Sequence, residues 1–597
     1  SFTGCGFFVG NASYLPQSLT RSHFPLGFLA AAKGAERPSG RRIFWGGGAI
    51  ALMLFAGYPS MSFFMIAASF AFGFSRIAFA GIGSGKERAR GAAGLIGLLA
   101  AGVALAGILL LPALQSYPHV TRPDRSAESR LSLPRDVVLK KSLPPAQTLS
   151  LLFPFLGSTD LSSYRLWPEF RNCSIGLVGL GFCAFYLIRA RGRTKAILAL
   201  LLALSLALSW GFNTPLYALV SARLPVLRLV SHPAMDFRAI FLFLLCLSAG
   251  LGLDRFSRGA EGAQAAAWTL AAAGALWAAG LAIAGGRVFS PALGGGEWWA
   301  TVLALAGLEA GKRRLRPLAA PALIVLAIVD GSVWANHNFA TVAARAEKGE
   351  WKRLRDKERA RNRSVITAAP GARAAEYPRP GRSGSMFWKN FSDSGTDSTR
   401  LKDFQQLMGT PVRSLLHRDI RLAPVGSVRI LNRAEEVWAE LREETEPLRI
   451  ARIAREDLPS PDLLEKLEAL PGAGDEAAGG KGRVESFSPD RIVYAVSLRR
   501  PGVVLFNEIF YPGWSLRTES QAAPLFRING AFRGTYLEAG EHRLTMLFRP
   551  GAFRWGALLS AIPAIIALAG WGKRLLYRRR RESAATGRDQ TAIPPDE

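Results

Sequence analysis

Apolar windows recur along this chain at intervals that predict a membrane protein. A bilayer core of roughly 30 Å requires about 20 mostly apolar residues in each helix that crosses it. The opening stretch, 6–32, is also apolar, but Pro16, Arg21, His23 and Pro25 interrupt it, which predicts a broken or re-entrant helix inside a bundle. With that stretch the sequence predicts about 10–11 membrane helices. The other predicted spans are 42–57, 59–81, 92–114, 174–187, 196–211, 238–253, 265–285, 298–310, 318–334 and 555–571.

Positive charge falls in alternate connections between these windows. Cytoplasmic loops retain Lys and Arg, so the C-terminus is predicted to be cytoplasmic. The segments 115–172, 212–237 and 335–554 are then outside. The same loops explain the net charge of +29, because basic loops face anionic lipid. No nucleic-acid motif accompanies the charge, so we expect membrane lipids as partners and no nucleic acid. The basic connections are 33–42, 86–90, 189–195, 255–258, 312–316 and 573–581.

The predicted fold is a polytopic α-helical membrane protein with an extracytoplasmic α+β domain that ends in a β-sandwich. β-branched and aromatic runs at 491–498 and 503–507, a hairpin turn at Asn529-Gly530 and a closing strand at 542–548 indicate the sandwich. The predicted domains are a transmembrane bundle (1–334) with outer loops at 115–172 and 212–237, a mixed α/β region (335–482), the β-sandwich (483–551), a transmembrane helix (552–572) and a basic cytoplasmic tail (573–597).

Ionisable residues near the outer ends of membrane helices are functional candidates by default. Arg228, His232, Asp236 and Arg238 lie together around the start of the sixth predicted span. Two arginines and a histidine are suited to the phosphate of a lipid-linked substrate, since guanidinium groups present paired donors to phosphate oxygens. The alternative is an interfacial anchor in which Asp236 pairs with an arginine.

Carboxylates and cysteines give fewer indications of chemistry. Asp160 and Glu169, in the first long outer loop, are candidates for general-base catalysis, although exposed loop carboxylates are more often only solvated. The four cysteines, at positions 5, 173, 183 and 246, show no metal-ligand spacing, so no metal or tightly held cofactor is predicted. The chain begins at Ser1 inside an apolar run, and we expect an amino-terminal piece to be missing.

Short motifs occur in an order that resembles the bacterial YfhO family of polytopic membrane proteins. The resemblance covers nearly the whole chain. Tyr58 stands where the family often has histidine, and Glu538 stands where it usually has proline. The motifs are Ala56-Gly-Tyr-Pro-Ser60, Leu143-Pro-Pro, Asn213-Thr-Pro-Leu-Tyr217, Leu227-Arg-Leu-Val-Ser-His-Pro233, Phe237-Arg238, Tyr511-Pro-Gly-Trp514 and Glu538-Ala-Gly-Glu-His542.

The resemblance implies the architecture of GT-C glycosyltransferases in the bacterial cytoplasmic membrane. It implies transfer of a sugar from a polyprenyl-phosphate donor to a cell-envelope glycan, lipid or polymer on the outer face. Arg228 and Arg238 match the family's signature arginines and would contact the lipid phosphate, with His232 beside them. The carboxylate base of GT-C enzymes usually lies in the first outer loop, which in this alignment would precede Ser1.

Two functions remain open at this stage. A glycosyltransferase predicts a cavity walled by 228–238 and roofed by a helix over 143–156. A non-catalytic lipid-linked glycan transporter or an envelope assembly scaffold predicts a continuous polar path or no cavity, with Trp514 and Phe532 of the sandwich as binding residues. Mid-span polar residues are few, which favours the enzyme.

Overall fold

The computed structural model describes 15–79, 84–121, 142–151, 175, 177–224, 227, 230, 233–257, 400–407, 410–412, 422–425, 427–444, 450–470, 480–488 and 490–589. The chain divides into two compact units, which we call the helical unit and the β unit. The helical unit comprises Ser1–Gly107, Leu131–Arg345 and Leu558–Glu597, and the β unit comprises Ile108–Arg130 and Ala346–Ala557.

Helices account for most of the described part of the helical unit. The described helices up to residue 257 are α1 (Leu15–Glu36), α2 (Gly40–Phe55), α3 (Pro59–Phe79), α4 (Gly85–Leu105), α5 (Gly107–Ser116, of which all but the first residue belongs to the β unit), α6 (Leu177–Arg189), α7 (Arg193–Ser209), α8 (Pro215–Arg223) and α9 (Pro233–Ser257). At three of the predicted spans the helices α2, α6 and α7 have 16, 13 and 17 residues, fewer than the about 20 expected of a span.

Four described helices are long and apolar enough to cross a membrane. They contain the segments Pro59–Phe79, Gly85–Leu105, Pro233–Phe256 and Gly551–Gly570, each of 20 to 24 residues. The last segment belongs to a 39-residue helix, Gly551–Asp589, which continues into the basic tail. The predicted spans at 265–285, 298–310 and 318–334 lie outside the described residues.

The prediction of a broken opening helix is wrong for the described residues, because α1 continues through Pro25. Pro25 removes one intrahelical hydrogen bond, but the aromatic side chains around it are held by packing. Phe24 and Phe28 are buried, and their rings lie 4.4 and 5.1 Å from the ring of Phe243 in α9. Tertiary contacts of this kind override a local helix breaker.

Helices α2 and α4 approach so closely that glycine is required between them. A Cβ on Gly47 would lie 2.7 Å from the Ala101 Cβ and 3.0 Å from the Gly102 backbone nitrogen. A Cβ on Gly102 would lie 2.6 Å from the Ile50 Cβ. Small residues let helix backbones approach in this way, which increases the dispersion contact between the two helices.

Helix α9 begins earlier than the sequence pattern predicts. The predicted span started at Arg238, whereas the helix starts at Pro233, whose fixed φ suits a first helical turn. Asp236 therefore lies in the first turn, where the helix dipole interacts favourably with a carboxylate. Asp236 and Arg238 lie within the helix, not in a loop before it.

Two antiparallel sheets form the larger part of the β unit. Their orders are β10-β9-β13-β7-β6 and β11-β12-β8-β3, and residues of both sheets share one core. The strands are β3 (Leu422–Val425), β6 (Gly480–Phe487), β7 (Arg491–Leu498), β8 (Gly502–Ile509), β9 (Trp514–Arg517), β10 (Ala522–Ala523), β11 (Phe526–Ile528), β12 (Phe532–Leu537) and β13 (Gly540–Phe548).

Several strand predictions are confirmed. Strand β7 has the predicted bounds, and the predicted strand at 503–507 lies within β8. The turn between β11 and β12 is also where the sequence predicted it. Asn529 and Gly530 there have φ of 44° and 72°, the left-handed region that Asn and Gly tolerate best.

A small βαβ element with two further helices completes the described part of the β unit. Strands β4 (Ser427–Leu431) and β5 (Ile450–Ala454) pair in parallel. The intervening helix buries Val437, Trp438 and Leu441. The remaining short strands, β1 (Val120–Thr121) and β2 (Arg400–Leu401), pair with each other. The helices are α10 (Lys402–Leu407), α11 (Ala434–Leu441), α12 (Pro461–Glu468) and, last in the chain, α13 (Gly551–Asp589).

Candidate functional site

Three charged side chains are fully buried among the residues of the helical unit that the structure describes. Arg21 of α1 and Asp236 and Arg238 of α9 each have 0% of their surface exposed. Removing a charge from water is costly unless other groups replace the lost hydration. Ionisable groups buried among apolar helices are therefore candidates for a binding site.

Charge complementarity joins α1 to α9 at this cluster. The Arg21 Nη2 donates a hydrogen bond to the Gln17 Oε1 at 2.8 Å, one turn earlier on α1. The positive charge of Arg21 acts on the Asp236 carboxyl, and Ser60 at the start of α3 also lies near that carboxyl. Neither carboxyl oxygen of Asp236 has a hydrogen-bond partner among the described residues. We call Gln17, Arg21, Ser60 and Asp236 the cluster, which draws on α1, α3 and α9.

A buried tyrosine adds a polar group near Asp236. Tyr217, in α8, is 1% exposed and packs its ring on Phe212 at 4.9 Å in an edge-to-face arrangement. Burial raises the pKa of Tyr217, and the negative charge of Asp236 raises it further, so the phenol is neutral at physiological pH. Its hydroxyl has no hydrogen-bond partner among the residues that the structure describes.

The segment around the Leu143-Pro-Pro motif lies against the end of α7. The Leu143 backbone N–H donates to the Ser209 carbonyl at 3.0 Å, and the Asn213 Nδ2 donates to the Leu143 carbonyl at 3.2 Å. The Trp210 Nε1 donates to the Thr148 Oγ1 at 2.9 Å. These contacts hold the segment in place next to the turn that leads into Tyr217.

The same segment brings a second unsatisfied polar group into the interior. Gln147 is 6% exposed, and neither atom of its amide has a hydrogen-bond partner within the described ranges. The predicted helix over 143–156 is, where described, a short 3-10 helix, Pro145–Leu151. Gly211 lies in the turn next to this segment and has a φ of 55°. A Cβ on Gly211 would lie 3.4 Å from the Ala234 Cβ at the start of α9.

The structure places two of the predicted site residues and leaves the others outside its described part. Asp236 and Arg238 are both fully buried in α9. Asp160, Glu169, Arg228 and His232 lie outside the described residues, so their roles remain predictions. Arg21 was noted in the sequence only as an interruption of the opening helix, and Gln17, Ser60, Gln147 and Tyr217 were not identified as site residues. The signal for Arg21 was an arginine inside an otherwise apolar window.

The Tyr511-Pro-Gly-Trp514 motif has a packing role in the β unit. The Arg533 guanidinium lies 4.0 Å from the Trp514 ring centroid, and its Nε donates to the Ile509 carbonyl at 3.0 Å. Burial lowers the pKa of Arg533 to about 10. The Phe548 ring lies 5.1 Å from Trp514. These contacts account for the aromatic motif without a ligand.

The chemistry available in the helical unit is that of anion binding. Guanidinium groups donate two parallel hydrogen bonds to phosphate or carboxylate oxygens, and burial strengthens such bonds. Among the described residues there is no group of three or more side chains that could hold a metal ion. No family model, curated protein or solved structure matches this chain.

Proposed function

We propose that this protein is a membrane glycosyltransferase that takes a sugar from a polyprenyl-phosphate donor and transfers it to a cell-envelope acceptor. The observation that carries the proposal is the full burial of three charged side chains, Arg21, Asp236 and Arg238, on two apolar helices. A donor of this kind has a long apolar chain, which lipid-facing helices accommodate, and a phosphate group, which arginines bind.

Arginine is better suited to this task than lysine would be. Its planar guanidinium matches two phosphate oxygens and is less strongly hydrated than an ammonium, so less hydration is lost on burial. As the glycosidic bond breaks, negative charge grows on the leaving phosphate, and fixed donors stabilise it. Asp236 acts on Arg21 and would hold that guanidinium in position.

Two buried neutral polar groups of the helical unit are suited to binding the sugar. The Tyr217 hydroxyl and the Gln147 amide are buried and lack hydrogen-bond partners in the described part of the chain. Buried donors and acceptors are normally paired, so such groups point to a ligand that pairs with them. Sugar hydroxyls both donate and accept, as these side chains require.

The proposed location is the bacterial cytoplasmic membrane, with the β unit and the acceptor on the outer face. Support comes from α13, which runs from an apolar segment, Gly551–Gly570, into a helix that carries Arg578–Arg581. Basic residues at one end of a span remain on the cytoplasmic side, which directs the other end of α13 outward.

Transfer of a labelled sugar from a synthetic polyprenyl-phosphate donor, in membranes that contain the full chain, tests the proposal. We expect Arg238→Ala to reduce transfer about 100-fold, the size of effect seen when one fixed donor to a developing anion is removed. Arg223→Ala is the matched control, because Arg223 ends α8 and is exposed.

Folding and function are separated by a second variant and by a size-exclusion profile. Arg238→Lys keeps the charge but loses the paired donors, so it should retain the profile and still transfer poorly. If folded wild-type protein transfers no sugar from any polyprenyl-phosphate donor, the non-catalytic transporter or scaffold takes the place of the enzyme.

A further inference from the structure

A cleft with a volume of about 500 Å³ lies within the β unit. One wall is the helix α12 and the other is formed by the turn 518–524 and by residues from the β12–β13 hairpin. Its size lies within the range of small-molecule sites, roughly 300–1,000 Å³. The Glu538-Ala-Gly-Glu-His542 motif, which has no part in the site of the helical unit, borders the cleft.

The basic side chains that line this cleft are engaged with carboxylates. The Lys466 Nζ lies 3.5 Å from the Glu538 Oε1, and the Arg543 Nε lies 2.8 Å from the Glu485 Oε2. The His542 ring is engaged too, because its Nε2 lies 2.8 Å from the Glu538 carbonyl oxygen. The cleft therefore offers little to attract phosphate or another anion.

Three of the four acidic side chains of the lining are available for a ligand. Asp462, Glu519 and Glu541 line the cleft and form no ion pair within the part of the chain that the structure describes. Carboxylates are strong hydrogen-bond acceptors, and hydroxyl donors give them short, charge-assisted bonds. Thr518 and Gln521 add a hydroxyl and an amide to the same lining.

An aromatic ring gives the cleft an apolar surface. Tyr536 is half-buried, and the Lys466 Nζ lies 5.5 Å from its ring centroid. Burial raises the pKa of Tyr536, and so do the charge and hydrogen bond of Glu538, so its hydroxyl is neutral. Pro524 and Leu463 extend this apolar part of the lining. Convergent polar groups beside an apolar surface are typical of ligand sites.

We propose that this cleft binds an uncharged, hydroxyl-rich oligosaccharide. Hydroxyl groups of the sugar donate to Asp462, Glu519 and Glu541, while the C–H faces of the sugar ring pack against Tyr536 and Pro524. The inference concerns the β unit and deepens the proposed function by giving the acceptor glycan a place to bind. Glycan binding in the cleft does not require sugar transfer, so a binding measurement tests the cleft and a transfer measurement tests the proposed reaction.

Saturation-transfer NMR on the full chain in detergent tests the cleft, with maltotetraose, cellotetraose and chitotetraose as probes. We expect saturation transfer to at least one of the three at millimolar concentration. The double variant Asp462→Asn/Glu541→Gln should weaken that binding about tenfold or more, since two hydrogen bonds to charged acceptors are weakened. Glu465→Gln should leave it unchanged, because Glu465 is exposed on the same helix but does not line the cleft.

Three results would overturn the inference: no saturation transfer to any of the three probes, equal binding by the double variant, or tighter binding of the anionic tetramer of galacturonic acid. Arg238→Ala, which lies in the helical unit, should bind the tetrasaccharides as the wild type does. If the protein binds a tetrasaccharide but transfers no sugar, the proposed reaction is rejected and the inferred binding site in the cleft is retained.

Discussion

Replacing Asp236 by asparagine should destabilise the helical unit strongly. The substitution keeps the size of the side chain but removes the carboxyl on which the positive charge of Arg21 acts. Both residues are fully buried, so neither gains hydration when its partner is lost. A surface ion pair would contribute far less, because water screens it.

The expected loss is about 3–5 kcal/mol in the free energy of unfolding, the range observed when one partner of a buried pair is removed. Arg21→Met alone should cost a comparable amount. The double variant should cost less than the sum by about 2 kcal/mol, because the uncompensated charge disappears with its partner. Lys33→Met is the control on the same helix, since Lys33 is 54% exposed in its pair with Glu36 and should cost under about 1 kcal/mol.

The assay is reversible unfolding in mixed detergent micelles with increasing dodecyl sulfate, followed by far-ultraviolet circular dichroism. Each free energy comes from the midpoint and slope of the transition, and the coupling energy comes from the four-member cycle. If Asp236→Asn costs less than Lys33→Met, or if the two single effects add without coupling, then Arg21 and Asp236 do not support each other and the cluster is wrongly described.

Two further predictions concern packing and ionisation. Gly47→Ala should destabilise the α2–α4 contact by about 1–3 kcal/mol, because its Cβ would meet backbone atoms, whereas Gly48→Ala, with nothing within 4 Å, should be neutral or slightly stabilising in the same unfolding assay. Burial raises the pKa of Asp457 more than Arg527 lowers it, so the folded state holds this proton more tightly than the unfolded state. Asp457 therefore stabilises the folded state at pH values below its pKa in the unfolded state, and this stabilisation is lost as pH rises through its pKa in the folded state. In urea unfolding, the free energy of unfolding of the wild type should increase relative to that of Asp457→Asn as pH falls from 6 to 4. A decrease over the same range would refute the raised pKa.

Strand positions could be predicted because β-branched and aromatic residues are concentrated in them. Strand β7 buries Ile492, Tyr494, Val496 and Leu498 on one face, while β8 buries the consecutive residues 502–506, so composition identified the strands where alternation did not. The left-handed turn at Asn529-Gly530 was equally legible, because few other residue pairs tolerate positive φ. Local chemistry determined both features.

Features that depend on distant residues could not be predicted in the same way. Pro25 and Arg21 read as interruptions of the opening helix, yet Pro25 is held in a continuous helix by the packing of Phe24 on Phe243. Arg21 is fully buried, and the carboxyl on which its charge acts belongs to Asp236, far along the chain. Hydropathy windows contain no information about either contact. The span predicted from them begins five residues after the start of α9.

Binding of polyprenyl phosphate by the purified full chain tests the central claim most directly. Native mass spectrometry would compare undecaprenyl phosphate with undecaprenol, which has the same apolar chain and no phosphate. We expect the phosphate lipid to bind at least tenfold more tightly, and we expect Arg238→Ala to lose that preference while Arg223→Ala keeps it. Equal binding of the two lipids by the wild type would contradict a phosphate site at the buried arginines.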